Sequence, residues 1–139
     1  MIFFDTNVIL DILDRRRANH EMALMLLSAA RKGAIKVAAS TQSIVDASYV
    51  RTQTDRVSLK DFRRVMASLC EIISICPVFS MAIEDANGSD VPDYEDAVQL
   101  SCAVSEECEA IVTSDHKFKS FTSIPTFTVE EFYKEVFGA

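Results

Sequence analysis

Five short apolar or β-branched runs, Ile2 to Phe4, Ile35 to Ala38, Ile75 to Phe79, Ala110 to Thr113 and Pro125 to Phe127, alternate with longer segments of helical period. This alternation constrains the chain most, because strands separated by helix-length segments pair in parallel within one α/β sheet. From Met22 to Arg31 the apolar residues make a broad helical face, and Gly33 suits its C-cap. Ser40 or Thr41 caps a helix running to about Thr52, and Ser58 caps another in which Leu59, Phe62, Val65, Met66, Leu69 and Ile73 keep the 3.6-residue period. Val91 to Glu107 and Val129 to Phe137 read as the last two helices. The expected fold class is α/β, with a central, mainly parallel sheet of four to five strands in a single domain over residues 1–139.

Composition narrows the function. With 49% hydrophobic and 25% charged residues, and only three Gly and three Pro, the chain has the balance of a folded domain with little linker. No apolar stretch approaches the roughly 18 residues of a membrane span, and the N-terminus lacks the basic region of a signal peptide, so the expected setting is cytoplasmic, with no membrane. A formal charge of −7 excludes gripping nucleic acid by overall charge, which leaves a local basic patch or a metal for that purpose. Cys70, Cys76, Cys102 and Cys108 form no CxxC and have no flanking histidine; they read as reduced, mostly buried thiols.

Ligands in such a sheet sit beyond the carboxyl ends of the strands, so the polar residues that follow each strand matter most. Asp5 follows the first strand. Asp46 lies one and a half turns into the helix after the second; Asp93, Glu95 and Asp96 open the helix before the fourth; Asp115 follows the fourth in IVTSD. Gathered on one edge, these carboxylates repel one another unless a cation is bound. Hard oxygen ligands with no histidine pair favour Mg²⁺ or Mn²⁺ over zinc. Taken singly, each acid also has a plainer reading. Asp5 or Thr6 can cap the following helix, Asp93 with Asp96 resembles a capping box, and Asp46 can be a solvated helix residue. Asp11 and Asp14 share one helical face and read as solvent-facing, while Arg15, Arg16 and Arg17 form a solvated run at the end of the first helix, able to touch an anionic partner.

FFDTNVILDIL, DYEDAVQLSCA and IVTSDHKF together resemble the PIN-domain family, and within it the small proteins related to VapC-type toxins; the resemblance extends over nearly the whole chain. It implies a three-layer α/β/α sandwich and an endoribonuclease in which three or four carboxylates hold one or two Mg²⁺ or Mn²⁺ ions. Asp5 falls on the family's first acid, Asp96 on the acid of the D-A segment and Asp115 on that of the last block. Asn7 takes the small polar position after the first acid. Where the family usually has Glu, in a segment like TxxxxE, TQSIVD offers Asp46, one methylene shorter. Asp93 sits where some members carry a further acid. The resemblance also implies an RNA substrate, a cognate antitoxin and a homodimer.

Phosphodiester hydrolysis needs an activated water and a place for developing charge, and metal ions supply both. On this reading Asp5, Asp46, Asp96 and Asp115 are catalytic, the same four with Asp93 hold metal, and Thr6, Asn7 and Thr113 orient the carboxylates. Lys117 and Lys119, with Arg15 to Arg17, are the candidates for RNA phosphate contacts. A haloacid-dehalogenase-type phosphatase needs a second Asp where this chain has Asn7, and a receiver domain needs an acid directly after its third strand, where FSMAIED has none. The remaining rival is a PIN-like module that has lost catalysis and acts as a protein- or RNA-binding partner.

Overall fold

The computed structural model describes residues 1–138. Ile2, Phe3 and Phe4 form the buried strand β1 (Ile2–Phe4), which ends where the Asp5 side chain accepts a hydrogen bond from the Thr6 N–H and starts α1 (Thr6–Leu13). The chain continues through α2 (His20–Arg31), β2 (Val37–Ser40), α3 (Thr41–Tyr49), α4 (Leu59–Leu69), β3 (Ser74–Cys76), α5 (Ser80–Asn87), α6 (Tyr94–Ser105), β4 (Ala110–Val112), β5 (Thr126–Phe127) and α7 (Val129–Phe137). A π-helical turn spans Val50–Thr54 and a 3₁₀ turn His116–Phe121.

All strand pairs are parallel, in the order β3-β2-β1-β4-β5. The chain lays β2 and β3 outward from one side of β1 and then resumes with β4 on the other side. Sequential order therefore reverses between β1 and β4, and the crevice beyond their carboxyl ends is where such a sheet binds ligands.

Side chains alternate across the sheet, and this builds three layers. Ile2, Phe4, Val37 and Val112 pack with Ile9 of α1, Leu26 of α2, Phe62 of α4 and Phe132 of α7. Phe3, Ala38 and Ile111 face the opposite way, onto Cys102 and Ala103 of α6 and onto Phe118. The α/β/α expectation holds with all five strands. Cys76, Cys102 and Cys108 are buried in the second layer and Cys70 is exposed; none forms a disulfide. Burial pushes the Cys76 thiol up to about 11, which makes it inert at neutral pH.

Several expectations change. The third strand is shorter than read, because Pro77 cannot donate to a ladder, and Ser80–Asn87 is a helix. Only small residues, Ala82 and Ala86, bury α5 against Ala97 of α6, while Met81 and Ile83 stay exposed, so its helical period was masked. Asp11 and Asp14, expected to face solvent, are 4% and 7% exposed. Arg17 pairs with Asp11 at 2.7 Å, and Arg16 grips Asp14 through Nε at 3.0 Å and Nη2 at 3.1 Å. Arg16 also meets Asp55, as does Arg51, carried on the wide π-helical turn. Two of the three consecutive arginines thus close the α1–α2 connection instead of standing as a solvated run.

The Arg16 side chain and backbone N–H hold the Asp14 carboxyl down at about 2 against the opposing effect of burial. With a folded pKa below the unfolded one, this pair contributes stability above about pH 4 and loses it as pH falls toward 2. Solvent lies close behind the pair, so Asp14→Asn is expected to lower stability by about 1 kcal/mol at pH 7. In urea denaturation the difference from the parent should shrink between pH 4 and pH 2.

Candidate active site

Asp5 sits at the carboxyl end of the central strand and its backbone N–H bonds Val112 of β4 at 3.0 Å, which fixes it in the crevice between β1 and β4. It is 4% exposed, and both carboxylate oxygens are held. Oδ1 accepts from the Thr6 N–H at 2.8 Å and from Gln99 Nε2 at 3.0 Å; Oδ2 accepts from Thr113 Oγ1 at 2.8 Å and more loosely from Asn7 Nδ2 at 3.4 Å. Asn7 Oδ1 in turn accepts from the Ser114 N–H, and Thr113 Oγ1 accepts from the Asp115 N–H. Thr6, Asn7 and Thr113, the predicted supporting residues, therefore all touch Asp5 directly and tie β1 to the loop after β4.

Asp93 caps α6 by accepting from the Asp96 N–H at 3.0 Å, and Asp115 caps the 3₁₀ turn by accepting from the Lys117 N–H at 3.0 Å. Asp93 thus caps its helix as the sequence suggested, and the two caps place Asp96 and Asp115 close enough to interact. Partial burial, a hydrogen bond with Asp115 and the negative charge of Asp93, Asp5 and Asp115 push the Asp96 carboxyl up to about 7. Negative charge close by disfavours the ionised form of a carboxyl, which is the direction Asp96 shows.

Asp46, half-buried on α3, accepts from Gln42 Nε2 at 2.9 Å. Facing it across the crevice is Glu95, whose carboxyl is raised by partial desolvation and by the charges of Asp46, Asp5 and Asp93. The structure thus gathers Asp5, Asp46, Asp93, Asp96 and Asp115 around one crevice, with Glu95 as a sixth acid that the sequence reading named but left out of the site.

Beneath the acids lies a polar network that sequence reasoning missed. Gln99 is fully buried; its Nε2 donates to Asp5 and, at 2.6 Å, to Ser43 Oγ, while its Oε1 accepts from Ser40 Oγ. Ser43 contacts Thr6 Oγ1 at 2.9 Å, and Thr6 Oγ1 reaches Glu95 Oε1 at 3.4 Å. Among the described residues no buried side-chain nitrogen or oxygen lacks a partner. The available signal was positional: Gln99 lies three residues after Asp96, and Ser43 lies midway between Ser40 and Asp46.

Of the predicted basic residues, only Lys117 lines the cavity beside the acids. Lys119 lies 3.8 Å from Glu131 of α7. Arg15 and Arg16 line a separate cavity with Arg51 and Asp55, at the far end of α1, about 12 Å along its axis from Asp5 at 1.5 Å per residue. The arginine run is not brought to the crevice.

An all-oxygen set of carboxylates suits a hard divalent cation. Among the described residues no three acids are already gathered as a coordinating group. By donor type the acids fit such an ion, which Asp5, Asp96 and Asp115 would hold.

Comparison with known proteins agrees with this architecture. A ribonuclease VapC1 of Aquifex aeolicus is 30% identical over 137 residues, spanning 94% of this chain and 92% of that protein. The structure resembles VapC20 of Mycobacterium tuberculosis, described as a sarcin-ricin loop cleaving toxin, with a TM-score of 0.69 at 16% identity over 90% of this chain and 99% of the other. It also resembles a chain of VapBC2 from Rickettsia felis, solved bound to a DNA fragment from its promoter, with a TM-score of 0.64 at 14% identity, covering 91% and 97%. The model of the PIN domain matches residues 1–117, a span that begins before Asp5 and closes just beyond Asp115, and the chain belongs to the PIN domain family.

Proposed function

We propose that this protein is a divalent-metal-dependent endoribonuclease and the toxin of a toxin–antitoxin pair, acting in the cytoplasm as a single domain. The observation that carries the reading is the convergence of Asp5, Asp96 and Asp115 at the β1–β4 crevice, where Asp96 is pushed up to about 7 by its neighbours. The VapC ribonuclease name of a relative aligned over nearly the full chain supports RNA as substrate.

Asp5, Asp96 and Asp115 would hold Mg²⁺ or Mn²⁺, which would supply Lewis-acid stabilisation of the phosphoryl charge and an activated water. Asp5 is the fixed anchor, because Thr113, Gln99 and the Thr6 N–H hold it in place before any ligand arrives. Asp96, raised by burial and its acidic neighbours, would hold the cation as the ionised carboxylate, with Asp115 beside it. Asp46 and Glu95 form the opposite wall, and the reach that Asp46 lacks by one methylene is available from Glu95 across the crevice. Lys117 is the nearest cation for an RNA phosphate. The same acidic crevice suits a basic segment of an antitoxin, and two copies of the chain form the working homodimer.

The test is cleavage of a mixture of structured RNAs by purified protein in Mg²⁺ or Mn²⁺ against EDTA. Discrete metal-dependent cuts are expected. A second reading, a PIN-like module without catalysis, draws on the short Asp46 and its bond to Gln42; RNA left intact in every metal, with RNA or protein binding retained, would favour it.

A further inference from the structure

Beside the acids lies a cavity of about 320 Å³ between the start of α6 and the 3₁₀ turn. One wall is acidic, from Asp93, Asp96 and Asp115. The rest is apolar, from Val91, Pro92, Leu100 and the rings of Phe118 and Phe121, with Lys117 on the rim. Phe118 is 3% exposed and belongs to the core, but Phe121 is 37% exposed and presents an aromatic surface that no core cluster covers.

Resting on the ribonuclease reading above, we propose that this cavity is a nucleobase subsite, which takes the base of an unpaired nucleotide next to the scissile phosphate and stacks it on Phe121. Its volume lies within the range of small-ligand pockets, and its mixture of apolar walls with a few polar groups at one end is what such pockets use. A nucleotide has the matching polarity: a flat apolar base, then a phosphate. With the base among Val91, Pro92 and Phe121, the phosphate falls toward the cation site of Asp96 and Asp115 and within the reach of Lys117.

A consequence for substrate follows. Bases in a duplex are stacked on both faces and cannot enter, whereas loop and bulge nucleotides can be splayed out onto aromatic side chains. The subsite therefore selects single-stranded positions in RNA, and the stack tolerates more than one base because every base has a π-face.

The test uses a probe that contains no phosphodiester, 2-aminopurine riboside 5′-monophosphate, titrated into the full chain in Mg²⁺. The parent is expected to quench its fluorescence. Phe121→Ala should weaken binding by about 5- to 150-fold and abolish the quenching, and Phe121→Tyr should restore both. Inorganic phosphate should bind the parent and Phe121→Ala equally, which separates loss of stacking from misfolding or loss of the cation. Absence of quenching in the parent, or quenching and affinity that survive Phe121→Ala, would overturn the subsite. Stacking that depends on Phe121 in a protein that cleaves no RNA would instead keep the subsite and overturn the ribonuclease reading.

Discussion

Asp5→Asn is expected to lower the rate of RNA cleavage at saturating Mg²⁺ by at least ~10³-fold, because a cation at this site supplies several kcal/mol of transition-state stabilisation and each 1.36 kcal/mol is a factor of ten. Asparagine keeps the size of the side chain and one oxygen, so the Thr6 N–H or Gln99 can still be satisfied and the fold should survive. What goes is the charge. The amide cannot accept from Thr113 with its nitrogen, so a small loss of stability is expected alongside the large loss of rate. Initial-rate assays together with thermal denaturation separate the two effects: activity retained within tenfold in a folded Asp5→Asn protein would remove Asp5 from the site.

The second large effect is expected at Gln99→Leu. The side chain is fully buried and bridges α6 to β1, β2 and α3 through Asp5, Ser40 and Ser43. Leucine removes the acceptor of the short Ser40 bond and one donor each from Asp5 and Ser43, leaving Ser40 only the longer contact to Ser43 at 3.3 Å, and each lost bond costs roughly 0.5–1.5 kcal/mol. The total destabilisation is expected at about 2–4 kcal/mol, read by urea denaturation. Since Gln99 holds one oxygen of the anchoring carboxylate, metal affinity should also fall about 10- to 100-fold, as for other partners that orient a ligand. A purely structural role for Gln99 would lower stability and leave the affinity of the folded protein for Mn²⁺ unchanged.

These two residues mark how far the sequence was legible. Asp5 could be read because it interrupts an apolar run at the end of a strand, a position where ligands gather whatever the family. Asp96 and Asp115 followed from the same rule applied to α6 and β4. Gln99 could not be read that way: a glutamine in AVQLSCA has no local oddity, and its role exists only because α6 crosses behind β1 and α3. The same limit hid the fate of Arg16 and Arg17. Their partners Asp55 and Asp11 lie on other parts of the chain or one helical end away, and three adjacent arginines look like solvated charge until the α1–α2 connection folds back. The last helix, α7, was legible to its ends, whereas α4 stops at Leu69, four residues short of the expected Ile73. The alanine-faced α5 was not legible, since small buried residues leave a weak pattern. Glu95 was visible as an acid, but its place opposite Asp46 depends on how α6 lies across α3.

The central claim is that the acids of the β1–β4 crevice form one divalent-cation site anchored by Asp5. Calorimetric titration of Mn²⁺ into the protein and into its Asp5→Asn variant tests it most directly. Because Asp96 is held up near 7, binding below that pH must expel its proton, so affinity should rise as pH goes from 6 to 8 and proton release should shrink over the same interval. The account predicts saturable binding in the parent with this pH dependence, and its loss in Asp5→Asn. Equal Mn²⁺ affinity in the two proteins at pH 8 would contradict it.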